Sequence, residues 1–293
     1  MQHSTNHPKS YEWIDFFDKL LLFLAGIFFV VSIGFFIAYN WDAMGKFLKF
    51  ILIEVVIVSL IIGAIYSSKK IISDTLVLLA SVLVGVFMAL FGQVYQTQAD
   101  SWELFFYWAL LISPWVFVSR LVANWLLWIL LLETAIWLYS SQYHRFGIIG
   151  YSVFLKLFIF NTIFLILWEY TSKKFDIKYA FVAHKLLLSL STFSVIALLL
   201  SRDISLWVFV WVGWIGFIYY FYRHLSVSIY ALSSMSLSVV VGVDILLIRL
   251  FDKIHANEFI GMAFVIGVIT ISLGTLLAQW LKKVAKEDAN ATK

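Results

Sequence analysis

Apolar residues occur in ten long runs separated by short charged or turn-like breaks, at approximately 20–39, 47–66, 75–95, 103–118, 121–140, 148–168, 180–200, 204–222, 226–248 and 258–281. About 20 mainly apolar residues of α-helix cross a bilayer core, and a backbone in lipid is satisfied only within a helix or a closed barrel. The pattern therefore predicts an all-α polytopic membrane helix bundle of about ten transmembrane helices. The fourth and fifth runs are the least regular, because 103–118 is short, holds Pro114 and is separated from the next run only by Ser119 to Asn124. They read either as a tight spanning hairpin or as a re-entrant pair, and both leave the parity of the later spans unchanged. Ahead of the first run, Trp13, Phe16, Phe17 and Leu20 recur at helical spacing opposite Glu12, Asp15 and Lys19. Residues 1–19 thus form either an interfacial segment that turns into the membrane or a solvated tail. The full-span first run and the lack of a small-residue cleavage site argue against a removable signal peptide. Residues 20–281 are expected to form a single transmembrane domain and 282–293 a basic cytoplasmic tail.

Composition supports this class. Of 293 residues, 63% are hydrophobic and 13% charged, with a mean hydropathy of +0.96, whereas soluble domains carry about 25% charged residues. Cysteine is absent, which removes disulfides, thiolate metal sites and cysteine nucleophiles. The net charge of +4 is spread along short loops and reports orientation rather than nucleic-acid binding. Alternating the spans puts Lys46, Lys49, Arg145, Lys156, Arg202, Arg249 and Lys253 on one side and leaves fourteen of the 21 basic residues on the side of both termini. Basic loops stay inside, so both termini are expected in the cytoplasm. Trp13, Tyr39, Trp41, Tyr95, Trp102, Trp168, Tyr170, Tyr222 and Trp280 fall near span ends, where aromatic belts belong. Ten spans divide into five and five, as an inverted repeat requires, but neither Ala38-Tyr39-Asn40-Trp41-Asp42 nor Gly92-Gln93-Val94-Tyr95-Gln96 recurs in the second half.

Polar residues inside the spans carry the candidate chemistry. A charge near the bilayer centre costs about 2.5–3.5 kcal/mol on insertion scales and calls for a partner or water. Glu54, Glu133, Lys156 and Asp244 lie several positions inside predicted spans, and the expected topology places all of them in the outer half. Glu133 and Lys156 flank one loop at equal depth and can pair, either as a charged gate or as a structural link between helices. Glu54 and Asp244 have no sequence-local partner and can carry a proton or bind a cation. Asn161 and Thr162 read as interhelical hydrogen-bonding residues.

Two polar stretches close the first and third spans on that same side. Asn40-Trp41-Asp42 offers an amide, an indole N–H and a carboxylate, and Asn40 or Asp42 can cap the second helix. Gln93, Gln96 and Thr97 are spaced as one stripe on a helix leaving the bilayer, beside Tyr95. Gly85 and Gly92, seven residues apart, permit close helix approach. Enzyme chemistry finds no support: the histidines at 3, 7, 144, 184, 224 and 255 form no zinc-binding pattern. Gly150-Tyr151-Ser152 lacks the second glycine of a nucleophile elbow. No cofactor motif or phosphate-binding loop is present.

At these two stretches the chain resembles domain-of-unknown-function family 2157, a family of bacterial membrane proteins. The resemblance rests on Gly34 to Asp42, with Ala38-x-Asn40-Trp41, and on Leu90 to Tyr95, with Gly92-Gln93-x-Tyr95. It covers about residues 15–140 and implies a multi-pass inner-membrane protein without implying an activity. The function expected is a small-solute or ion transporter, or a permeability protein. Its externally open polar cavity would be built from Asn40, Trp41, Asp42, Glu54, Gln93, Tyr95, Gln96, Glu133, Lys156 and Asp244. A structural or envelope-assembly role is the alternative, and a membrane enzyme acting on lipid or cell-wall precursors the third. The partners expected are the lipid bilayer and an unidentified small solute or ion.

Overall fold

The computed structural model describes residues 10–119, 121–142, 153–175, 177, 179–201, 204–251 and 259–291. Arg120, Arg145, Lys178, Arg202 and Lys253, which enter the charge argument, lie outside the described residues, as do Lys9, Lys293, His144, His255 and Gly150-Tyr151-Ser152. Among the described residues the chain is all-helical. The elements are α1 (Ser10–Tyr39), α2 (Lys46–Tyr66), α3 (Lys70–Tyr95), α4 (Ser101–Val118), α5 (Val122–Gln142), α6 (Val153–Phe175), α7 (Ala180–Leu198), α8 (Ile204–Tyr220), α9 (Ile229–Phe251) and α10 (Phe259–Ala291). Ten of these segments are long and apolar enough to cross a membrane. α1 is one unbroken helix of 30 residues, so the amphipathic lead-in runs straight into the span instead of turning into it. Similarly, α10 continues to Ala291, and the basic tail extends that helix.

The chain divides into two compact units, residues 1–135 and 136–293, with the division inside α5. In the first unit α3 packs against α1, α2 and α4. Its core takes Val30, Ile33 and Ile37 from α1, Phe50, Ile53 and Leu60 from α2, and Leu79, Ala80, Leu83 and Leu90 from α3. Most of these positions lie three, four or seven residues apart, the spacing of one helical face. α2 and α3 form a tight hairpin in which Ser73 Oγ donates to the Ala64 carbonyl at 2.8 Å. The α4–α5 pair is a hairpin of two separate helices. Ser119 Oγ accepts from the Leu121 backbone N–H at 3.2 Å and from Asn124 Nδ2 at 3.0 Å, which closes the turn. Pro114 lies inside α4, and Trp128 Nε1 of α5 donates beside it, to the Ala109 carbonyl at 3.1 Å and Ser113 Oγ at 3.0 Å.

In the second unit α7 packs against α6, α8 and α9, and α9 against α8 and α10. Trp207, Trp211, Trp214 and Ile218 share the buried face of α8, while Ser191, Thr192 and Ser194 of α7 and Ser236 and Ser238 of α9 are buried. The apolar face of α8 therefore meets hydroxyls, which would be costly without partners. The indoles supply them: Trp214 Nε1 donates to Thr192 Oγ1 at 3.2 Å and Trp211 Nε1 to Ser238 Oγ at 3.0 Å. Thr162 of α6 donates to Ser191 Oγ at 3.4 Å, consistent with its reading as an interhelical link.

One device occurs in both units. Trp108 of α4 donates to the Ser81 carbonyl of α3 at 2.8 Å, and a Cβ at Gly85 would fall inside its indole. Trp211 donates to the Ser238 hydroxyl rather than its carbonyl, and a Cβ at Gly242 would likewise fall inside its indole. The segments are Ser81-Val-Leu-Val-Gly85 and Ser238-Val-Val-Val-Gly242, a glycine four residues after a serine that supplies the acceptor. The order along the chain differs, since the glycine helix precedes the tryptophan helix in the first unit and follows it in the second. A tandem five-helix duplication would preserve that order, so this element does not support one.

Gly85→Ala and Gly242→Ala should each displace an indole and cost about 1–3 kcal/mol, the usual penalty of overpacking. Gly34→Ala, where a Cβ meets nothing within 4 Å, should be neutral or slightly stabilising. Thermal unfolding in detergent measures all three, and equal melting temperatures for Gly34→Ala and Gly85→Ala would refute the notch.

Candidate functional site

The two polar stretches lie at the ends of α1 and α3, at the end of the first unit where α2 begins. Asn40 Nδ2 donates to the Phe36 carbonyl at 2.8 Å and so closes the C-terminal end of α1, the terminus that has spare carbonyls. The capping expected for the second helix does not occur: Gly45 is its N-cap and no side chain bonds there. Asp42 is exposed in the turn. Trp41 takes a different part, with the Lys49 ammonium 3.6 Å from its ring centroid. Lys49 is only 6% exposed, so this cation on an indole face is a desolvated contact, worth about 2 kcal/mol.

Beside it, Tyr95 of α3 stacks on Phe50 of α2 at 5.8 Å and 19° and touches Phe91 at 4.8 Å. Lys46 Nζ lies 6.0 Å from the Tyr95 ring. The junction is thus aromatic and cationic, and Asn40, Trp41 and Lys49 are engaged in contacts within it, while Asp42 is exposed.

Gln93 and Gln96 belong to a separate cavity of about 760 Å³ between the end of α3 and the start of α4. The helical stripe expected through Thr97 stops at Tyr95, because Gln96 adopts the left-handed conformation, φ 44°, that ends α3. A left-handed C-terminal position usually holds glycine, and a glutamine there stores strain. The reversal brings Thr97 back beneath Gly92, 3.8 Å from where a Cβ would stand. Gln93, Gln96, Thr97, Asp100, Glu103 and Tyr107 form the polar wall, while Met88, Phe91 and Phe105 contribute apolar surface. None of the described residues lining this cavity is basic. Asp100 accepts from Trp102 Nε1 at 3.4 Å and occupies the N-cap position of α4.

The remaining expected residues go elsewhere. Glu54 is exposed on the outer face of α2, among Ile51, Val55 and Val58, and does not line the Gln93 cavity. Glu133 is half-buried on α5. Lys156 donates to Ser140 Oγ at 3.1 Å and lies 5.6 Å from the Tyr139 ring. Asp244 of α9 accepts from Thr270 Oγ1 of α10 at 2.7 Å. Two supposed belt aromatics are interior residues instead: Trp168 and Tyr222 are 3% and 1% exposed, and Trp168 Nε1 donates to the Ala180 carbonyl of α7 at 2.9 Å. Asp100 and Glu103 are not singled out by the sequence patterns above, although the stretch Gln96 to Glu103 carries both carboxylates and no basic residue.

Residues 3–125 match the family model DUF2157, described as a predicted membrane protein. The matched region runs through α4 into the start of α5, so it contains both the Trp41–Lys49 junction and the Gln93 cavity. No curated protein and no solved structure matches the chain.

Trp41→Leu should lower stability by about 1–2 kcal/mol by stripping the face over a buried ammonium, and adding Lys49→Met should restore most of the loss. Unfolding midpoints of the single and double variants measure this; a double variant no better than Trp41→Leu would contradict the contact.

Proposed function

We propose that the protein is a small-solute or ion transporter, or a permeability protein, that receives its solute in the cavity between α3 and α4. The observation that carries the reading is the wall of Gln93, Gln96, Asp100 and Glu103 around about 760 Å³, with no basic residue among the described residues that line it. Carboxylates and amide groups over an aromatic floor accept hydrogen bonds and favour positive charge, which fits a small cation-bearing or hydroxylated solute. The charge bias of the loops supports an orientation with both termini in the cytoplasm of a bacterial inner membrane and this cavity on the far side.

In proteoliposomes, uptake or efflux of small organic cations should fall by about tenfold in Glu103→Gln and Asp100→Asn, the equivalent of one charge-assisted hydrogen bond. Unchanged flux in both, with normal protein levels, would remove the cavity from the pathway. Orientation has its own test, because the chain has no cysteine: Gln98→Cys in whole cells should react with an impermeant maleimide from outside. Labelling only after the cytoplasmic side is opened would reverse the topology.

An assembly role is favoured by one observation, the carboxylate of Glu54 exposed on an apolar helix face. Such a charge facing lipid costs about 2.5–3.5 kcal/mol unless another polypeptide covers it. If that is its function, Glu54→Leu lowers the mass of the complex extracted from the membrane and leaves solute flux unchanged.

A further inference from the structure

The second unit holds an ionisable cluster that the solute cavity does not involve. Glu169 stands near the C-terminal end of α6, His184 in the first turns of α7, and Tyr222 on a π-helical turn, Phe221–Leu225, that follows α8. His184 Nδ1 lies 2.7 Å from Glu169 Oε1, and the Tyr222 hydroxyl donates to the same oxygen at 3.3 Å. The tyrosine ring meets the imidazole edge-on at 5.5 Å. Tyr222 is buried, whereas the His184 and Glu169 side chains retain 16% and 22% of their surface. A cavity of about 230 Å³ adjoins all three, with Ser172, Ser226 and Ser228 in its wall. A second, of about 700 Å³, reaches Glu169 and Tyr222 from the side of Leu165, Phe217 and Lys174.

A carboxylate bonded to Nδ1 fixes an imidazole's orientation and leaves Nε2 to exchange a proton. Glutamate and histidine within membrane spans recur in proton relays. The backbone adds a second observation: the Ser226 N–H reaches back to the Phe221 carbonyl, five residues away, at 3.0 Å. Such π turns insert one extra residue into a helix and recur at functional sites. Here the turn at the end of α8 carries Tyr222, whose hydroxyl meets Glu169, and Arg223, which pairs with Glu287 of α10.

We propose that Glu169, His184 and Tyr222 form a proton-exchange site in the second unit, filled from the adjoining small cavity. A proton from water adds to His184 Nε2, giving an imidazolium whose charge the Glu169 carboxylate balances, and leaves by the same route. Tyr222 holds the carboxylate oxygen in place in both states and ties it to the π turn. Among the described residues, other charged and titratable groups around the site are engaged in separate contacts or stand at its rim. Lys174 of α6 is at the mouth of the larger cavity; Lys185 of α7 lies over Phe181 and Tyr230 of α9. On the π turn, Arg223 is paired with Glu287 of α10, and His224 sits against Tyr219 and Tyr220.

The site shares no lining residue with the solute cavity, and its test requires no transport assay. Full-length protein carrying 15N-histidine is reconstituted in nanodiscs and titrated by NMR, with His184→Gln assigning the signal. The expected result is a reversible change of the His184 resonance between neutral and imidazolium forms while the protein stays folded. Its midpoint should be displaced by at least about half a pH unit in Glu169→Gln and in Tyr222→Phe, and unmoved in His224→Gln. If Glu169→Gln does not fold, Tyr222→Phe, which removes only a hydroxyl, carries the same comparison. A His184 resonance fixed in one form throughout, or a midpoint unmoved in the variants that fold, overturns the proposal.

Discussion

The hydrogen bond from a tryptophan indole to an acceptor on the next helix is the interaction on which the rest of each unit depends. Lipid tails are as apolar as leucine, so helices in a bilayer gain little by burying apolar surface against each other and rely on close packing and hydrogen bonds. Tryptophan supplies both, a large flat surface and one donor. Trp108 reaches α3 from α4, Trp128 reaches α4 from α5, Trp168 reaches α7 from α6, and Trp211 and Trp214 join α8 to α9 and α7. At Gly85 and Gly242 the missing side chain is what lets the indole come close enough to find its acceptor.

This constraint explains where the serines and threonines lie. Hydroxyls such as Thr192 and Ser238 are buried because an indole from the facing helix meets them. Several others bond to their own helix, as Thr75 does to the Ile71 carbonyl at 2.7 Å, and leave no donor unsatisfied in lipid. Much of the polar content of the spans is thereby committed to structure. At the Gln93 cavity and the Glu169–His184–Tyr222 cluster, charged or amide groups adjoin open volume.

The spans were legible in the sequence because membrane-crossing helices are marked by continuous apolar length, and the breaks between runs mark their ends. The family resemblance, placed at about residues 15–140, overlaps most of the 3–125 that the family model matches, since its motifs are contiguous. Partnerships between helices were not. Nothing in the spacing of Trp211 and Ser238, 27 residues apart, tells which face of each helix turns to the other. Asn40 carries a cap signature that looks forward along the chain to α2, yet its side chain bonds the Phe36 carbonyl behind it, which also accepts from the Asn40 backbone N–H. Trp168 and Tyr222 were assigned to the membrane boundary by their position near span ends, while their depth within the unit depends on neighbours distant in sequence. His184 carried no local signal, since its partner Glu169 belongs to the preceding helix.

The most direct test of the central claim is a double-mutant cycle on Trp211→Phe and Ser238→Ala, with a second on Trp214→Phe and Thr192→Val, read by reversible unfolding in mixed micelles. The account predicts a coupling of about 0.5–1.5 kcal/mol in each cycle, the range of interhelical hydrogen bonds in membranes. Additive effects in both cycles would contradict it, showing that the indoles act by packing alone.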